Sequence, residues 1–255
     1  MAKYHFNPKE LIKGLNPSQL GLRYISTQRI ELGPAKKPLK INSKNLELCF
    51  IPISGDVEYK INGVDGTIKK MDILYLPWKT TTILTSKNPS VCMMFAAPSD
   101  RPTDLAIIHF EDIARHPTRK AVYGSAEKNC LRTVYHYLDD QFKACRLMVG
   151  ICQGSTGGWT SWPPHEHATK REEVYLYFDM GEAFGVQCVY EKMDKPMFVG
   201  MVRDGDLVSI PRGFHPNVGC SGGRISFIYV MAAKKAGDRN FMDLTVQKEF
   251  GDKFN

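Results

Sequence analysis

The run Trp162-Pro163-Pro164-His165-Glu166-His167 sets two of the chain's seven histidines two residues apart, and Glu172 and Glu173 follow closely. Alternate residues of a β-strand project from one face, so His165 and His167 can aim both imidazoles at one point. A glutamate on the returning strand adds a hard oxygen donor. A third histidine, His215, stands farther along on a Pro211-Arg212-Gly213-Phe214-His215 turn. Three neutral nitrogens and one carboxylate suit zinc, and also iron, manganese or nickel. A lone histidine is usually a satisfied polar group, whereas a pair at i, i+2 with a third on a turn reads as a ligand set. His5, His109, His116 and His136 lack such company and read as surface or capping residues.

The elements that must hold these donors are short β segments. Residues 1–20 read as a helix and loop, with Pro8 at a helix start and Gly14 at its stop. From residue 21 to 97, apolar alternation and β-branched residues recur between Gly, Asn and Asp breaks, the pattern of a sandwich or barrel. Pro98, Pro102 and Pro117 interrupt it, so 98–128 reads as a linker, and a second β series fills 129–255. The halves echo each other: Leu48–Gly55 is similar to Val174–Gly181, and Met71–Pro77 to Gly205–Pro211. A duplicated β domain is expected. The first copy has no histidine at any equivalent position, so only the second can carry the metal.

Composition narrows the class. A net charge of +7 is spread thinly, with Lys and Arg clustering only in pairs, unlike a nucleic-acid footprint. Weak attraction for a small anionic substrate is the functional reading of that charge. No apolar run approaches the roughly 20 residues of a membrane helix, and the first residues carry no signal-peptide pattern. Seven scattered cysteines without a CxxC pair read as free thiols in a reducing cytoplasm.

A strand-borne H-x-H, a nearby glutamate, a strand-ending glycine and a later D-x4-P…H together resemble the cupin double-stranded β-helix. The runs Arg132–Tyr135, Cys145–Gly150, Gly158–His167, Glu173–Phe178 and Val202–Pro216 resemble the uronate-isomerase family of bicupins. That family holds two activities, on 5-deoxy-glucuronate from inositol catabolism and on 5-dehydro-4-deoxy-glucuronate from pectin breakdown. The resemblance covers most of the chain and is strongest from about 130 to 232. It implies an all-β bicupin of two jelly-roll domains acting as a metal-dependent aldose–ketose isomerase on a small acidic sugar. 5-Deoxy-glucuronate or a close uronate is the first substrate it suggests. Pro163–His167 and Asp204–Pro216 look more like the inositol branch, whereas Glu173–Asp179 and Gly237–Asp243 look more like the other. That mixture leaves a third acidic sugar open, such as the sulfonated hexose sulfoquinovose. Other classes within the fold are Fe(II) dioxygenases and non-catalytic sugar-binding cupins. A homo-oligomer is also implied.

Carried over, the metal ligands fall on His165, His167, one glutamate and His215, with zinc first and manganese or iron as alternatives. The family's carboxylate precedes the Val-Tyr-x-Tyr strand and selects Glu173, while the generic cupin spacing selects Glu172. Strand parity favours Glu173, which shares a face with Tyr175 and Tyr177. Glu172 and Tyr177 are then candidate bases by proximity, and a metal-bound hydroxide is another. Arg132, Arg171 and Arg212 are candidates to grip the sugar's carboxylate, ahead of Arg146 and Arg203. Tyr175 and Trp162 are candidate pocket walls.

Overall fold

The computed structural model describes residues 3–167 and 169–251. It is nearly all β, with short helices at Pro8–Ile12 and Phe110–Arg115. Among the described residues no helix is long and apolar enough to cross a membrane, and none of the seven cysteines is paired in a disulfide.

Two β-sandwiches follow one another, as expected for a bicupin. In the first, a sheet ordered Ala106–Ile108, Ile73–Leu76, Leu46–Ser54, Ser90–Pro98, Ser26–Leu32 packs on a sheet ordered Leu39–Asn42, Thr81–Thr85, Val57–Ile61, Val64–Ile68. In the second, His5–Phe6, Leu207–Ile210, Arg171–Tyr177, Arg224–Ala233 and Leu147–Thr156 repeat that first order, and Arg132–Leu138 and Lys120–Tyr123 extend it to seven strands. A four-stranded sheet of Trp159–Thr160, Asn217–Gly219, Gly185–Val189 and Phe198–Val202 covers its inner face. Alternation explains both faces of each large sheet. Tyr175, Phe227 and Met231 point inward, while Val174, Leu176, Ile228 and Val230 point to the other sandwich. There they meet Cys49, Ile51, Met93 and Phe95, so the largest core cluster lies between the two sandwiches.

Two buried carboxylates lock that interface reciprocally. Glu47, fully buried on the first sandwich, accepts hydrogen bonds from the backbone N–H groups of Cys145 (2.8 Å), Arg146 (2.6 Å) and Leu147 (2.8 Å), and from the Tyr75 hydroxyl (2.5 Å). Glu172 on the second accepts from the N–H groups of Arg23 (2.8 Å), Tyr24 (2.7 Å) and Ile25 (2.9 Å). Each acid sits on the equivalent strand, and each holds the residues at the start of the matching strand of the other sandwich, Leu147–Thr156 or Ser26–Leu32.

Two segments do more than a local reading gives them. Within 98–128, Ala106–Ile108 pairs with Ile73–Leu76 of the first sandwich, and Lys120–Tyr123 pairs with Arg132–Leu138 of the second. Pro98 ends the inner strand Ser90–Pro98, and Pro102 and Pro117 stand ahead of the two edge strands. Likewise His5–Phe6, just ahead of the expected helix, is an edge strand of the second sandwich, antiparallel to Leu207–Ile210.

Candidate metal centre

His165 is fixed by backbone pairing. The short strand His165–Glu166 runs antiparallel to Thr245–Val246, with His165 opposite Val246. Its Nδ1 lies 3.1 Å from the Pro163 carbonyl, so the N–H there donates and Nε2 is left as the electron-pair donor. His215 follows the same rule, with Nδ1 donating to the Gly213 carbonyl at 2.8 Å. Gly213 has φ +90, and a Cβ there would lie 2.6 Å from the Tyr190 carbonyl oxygen, so this tight turn needs glycine. The ring centroids of His165, His167 and His215 lie 4.7–6.2 Å apart, and one nitrogen of each falls within 4.8 Å of the others.

Glu173 completes the group. Its Oε2 lies 3.0 Å from His167 Nε2 and 3.3 Å from His215 Nε2. At metal–donor distances of about 2.1 Å, neighbouring ligands of an octahedron or a tetrahedron stand about 3.0–3.4 Å apart, so these donors already have the spacing of a coordination shell. His215 Nε2, although close to Glu173, makes no hydrogen bond, and neither does His167 Nδ1; both are buried. Buried nitrogens without partners are rare and costly, and a cation is one remedy. The donor set and its orphaned nitrogen fit a divalent metal. The triad of buried histidines can bind one.

The electrostatics point the same way. Burial holds the His167 imidazole down at about 3, helped by the nearby Arg171 charge, and His215 at about 4 against the opposing pull of Glu173. The histidines are therefore neutral ligands at physiological pH. Burial pushes the Glu173 carboxyl up to about 7, against the lowering influence of neighbouring His215 and Arg171. Metal must displace that proton below pH 7 and finds none above it. Apparent affinity should therefore climb about tenfold per pH unit up to about 7 and then level off. Calorimetry of zinc binding in buffers of different ionisation heat should show about one proton released at pH 6 and almost none at pH 8; equal release at both would contradict this.

His165, His167 and Glu173 line a cavity on the inner face of the large sheet, with Arg132, Tyr123, Tyr175, Tyr229 and Phe227 on its walls and Phe241 and Leu244 across it; His215 stands behind them. Arg132 is 2% exposed, donates to the carbonyls of Cys130 (3.1 Å) and Trp162 (2.6 Å), and lies 5.4 Å over the Tyr123 ring. Tyr175 packs on Phe227 and His215 and bonds Ser161 at 2.8 Å.

The other expected residues lie elsewhere. Glu172 points away from the cavity into the interface clamp, so it is not a base. The Tyr177 hydroxyl is buried beyond the cavity in a bond to Gln187, with Asn217 donating to it at 3.3 Å. Arg171 holds the carbonyls of Asn240, Phe241 (3.4 Å) and Asp243 (2.6 Å), pinning the segment that carries Phe241 and Leu244 over the cavity. Arg212 is an exposed partner of Glu191 at 3.1 Å. Trp162 contributes its carbonyl to Arg132, while its ring packs on Trp159 and Phe250. His136 is buried rather than superficial and bonds Tyr229 at 2.7 Å. Neither residue of that pair carries a local spacing signal.

The chain is 25% identical over 84% of its length to 4-deoxy-L-threo-5-hexosulose-uronate ketol-isomerase 2 of Rhizobium meliloti, covering 79% of that relative. It is 24% identical over 89% of its length to 5-deoxy-glucuronate isomerase of Bacillus subtilis, covering 88% of it. The crystal structure of an IolB-like protein from Salmonella typhimurium LT2 superposes with a TM-score of 0.82 at 21% identity, over 98% of both chains. The KduI/IolB family model matches residues 2–248, and the chain belongs to that family.

Proposed function

We propose that this chain is a metal-dependent aldose–ketose isomerase of a small acidic sugar. The observation that carries the reading is a cluster of three neutral imidazoles and a carboxylate that yields its proton near neutrality, set at the wall of a cavity that also holds a buried arginine. His165, His167, Glu173 and His215 would hold the ion, with zinc the best match and manganese or iron the alternatives. When bound, a divalent ion supplies the Lewis acidity that isomerisation needs at the sugar's carbonyl. Arg132 would receive the acid group and so set which carbons face the ligands. Tyr175, Phe227 and Phe241 exclude water from the reacting end, which strengthens each polar contact there.

We assign 5-deoxy-glucuronate as first substrate, supported by the Bacillus relative over nearly its whole length. The second reading, 4-deoxy-L-threo-5-hexosulose-uronate, is supported by the Rhizobium relative. The test is anaerobic incubation of zinc-loaded protein with both sugars, glucuronate, a 6-sulfo hexose and an uncharged hexose, followed by NMR. Conversion of one acidic sugar and none of the uncharged one is expected. Turnover that requires oxygen would make the protein a dioxygenase instead, and metal binding with no conversion would make it a binding module.

A further inference from the structure

One transverse row of the seven-stranded sheet reads Tyr175, Tyr229, Gly150, His136 across four neighbouring strands. Side chains so aligned share a face. Gly150 has none, and the two flanking residues reach over it to meet, with Tyr229 Oη 2.7 Å from His136 Nδ1. A Cβ at Gly150 would lie 2.2 Å from that hydroxyl. A glycine inside a strand weakens it and often marks a close approach, here of two polar side chains. On the far side of the imidazole, the Tyr123 hydroxyl stands 3.4 Å from Nε2. Tyr229 and Tyr123 both line the cavity of the ligand cluster.

We propose that Tyr229 is the catalytic residue that gives a proton to the sugar's reacting oxygen, and that His136 is the positioning residue that restores it. This rests on the isomerase reading above. The required arrangement has Tyr123 donating to His136 Nε2 and the Nδ1–H donating to Tyr229 Oη, which leaves the Tyr229 hydrogen aimed into the cavity. A general base other than this pair takes the proton from one carbon and later delivers it to the neighbouring carbon; as that C–H bond breaks, the Tyr229 O–H bond breaks and an O–H bond forms on the former carbonyl oxygen. The Nδ1 proton restores the phenol, Nε2 takes the Tyr123 proton, and half-buried Tyr123 regains one from solvent. When the new carbonyl forms, the neighbouring hydroxyl proton returns along the same three groups, so no proton is consumed overall. Burial raises the Tyr229 phenol well above its ordinary value and lowers the His136 imidazole, so both start neutral. A neutral phenol of that kind donates to an oxygen that is gaining charge and does not abstract from carbon.

The test uses the zinc-loaded full chain. Tyr229→Phe should lower kcat about 10²–10⁴-fold, with KM changed by less than about threefold and metal content intact. Gly150→Ala, which wedges the pair apart, should lower kcat in the same way. A Tyr229→Phe kcat within about twofold of the wild type would overturn the proposal. A second measurement needs no variant: ¹⁵N NMR of His136 in the wild-type protein. A proton on Nδ1 is expected. A proton on Nε2 would mean that the Tyr229 hydrogen is committed to His136, and would overturn the relay even if the variants do not fold. Failure of the wild type to convert any acidic sugar would sink the isomerase reading, and the tautomer would still decide this pair.

Discussion

His167→Ala should give a folded chain that binds no metal and turns over no sugar. The side chain's one strong partner is Glu173, at 3.0 Å. The nearby backbone bonds, from Lys170 and Arg171 to the His167 carbonyl, do not involve the ring. With the imidazole gone, Glu173 keeps the proton that burial already favours up to about 7, so below that pH no bare charge is stranded in the cavity. Stability of the metal-free variant should stay within about 2 kcal/mol of metal-free wild type. Turnover should fall at least about 10³-fold, roughly 4 kcal/mol of barrier, because the ion's electrostatic contribution disappears with the ligand. Metal content by plasma mass spectrometry, thermal melts and the sugar assay read the three effects separately. A variant that keeps both metal and turnover, or a metal-stripped wild type with full activity, would refute the assignment.

Glu172→Ala should do the reverse, costing the fold heavily while sparing the chemistry. Three backbone N–H groups, of Arg23, Tyr24 and Ile25, lose their acceptor at the interface between the sandwiches. Each orphaned donor costs about 1–3 kcal/mol, and loss of a buried ionic acceptor typically costs about 3–5 kcal/mol in all. Since whole domains are stable by only about 5–15 kcal/mol, the variant should melt far earlier, with a urea midpoint shifted well beyond that of a surface substitution. Glu47→Ala should match it from the other side, because Glu47 holds Cys145, Arg146 and Leu147 in the same way. Where Glu172→Ala remains folded at low temperature, kcat should lie within about threefold of wild type. A loss of several orders of magnitude would return Glu172 to the chemistry.

The contrast between these adjacent acids shows what local sequence can encode. The donor cluster was legible because strand parity is a local rule: His165 and His167 are two residues apart, and Glu173 shares a face with Tyr175. The same rule puts Glu172 on the opposite face, although nothing nearby says that residues 23–25 wait there. Arg171 looked like a substrate grip from its place beside the ligands, yet its partners lie at Asn240–Asp243, about seventy residues on. His136 looked idle because its partner is 93 residues away and is reached only across Gly150. The bicupin repeat was visible in the echo of Leu48–Gly55 and Val174–Gly181. The edge strands within 98–128 were not, because prolines report corners and say nothing about which sheet takes the residues between them.

The pairing of His5 with Val208 also has a meaning in time. At roughly 5–20 residues per second, about 10–40 s of synthesis separate the first partner from the second. Through that interval the newborn first sandwich shows water the apolar face of Cys49, Ile51, Met93 and Phe95 that later meets its twin. A helix-rich protein can finish its early parts as they emerge, whereas this chain must carry an open flank until most of it has been made. Nascent copies crowded on one message could meet flank to flank before either is finished, so slowing translation between residues 100 and 207 should lower soluble yield even with the sequence unchanged.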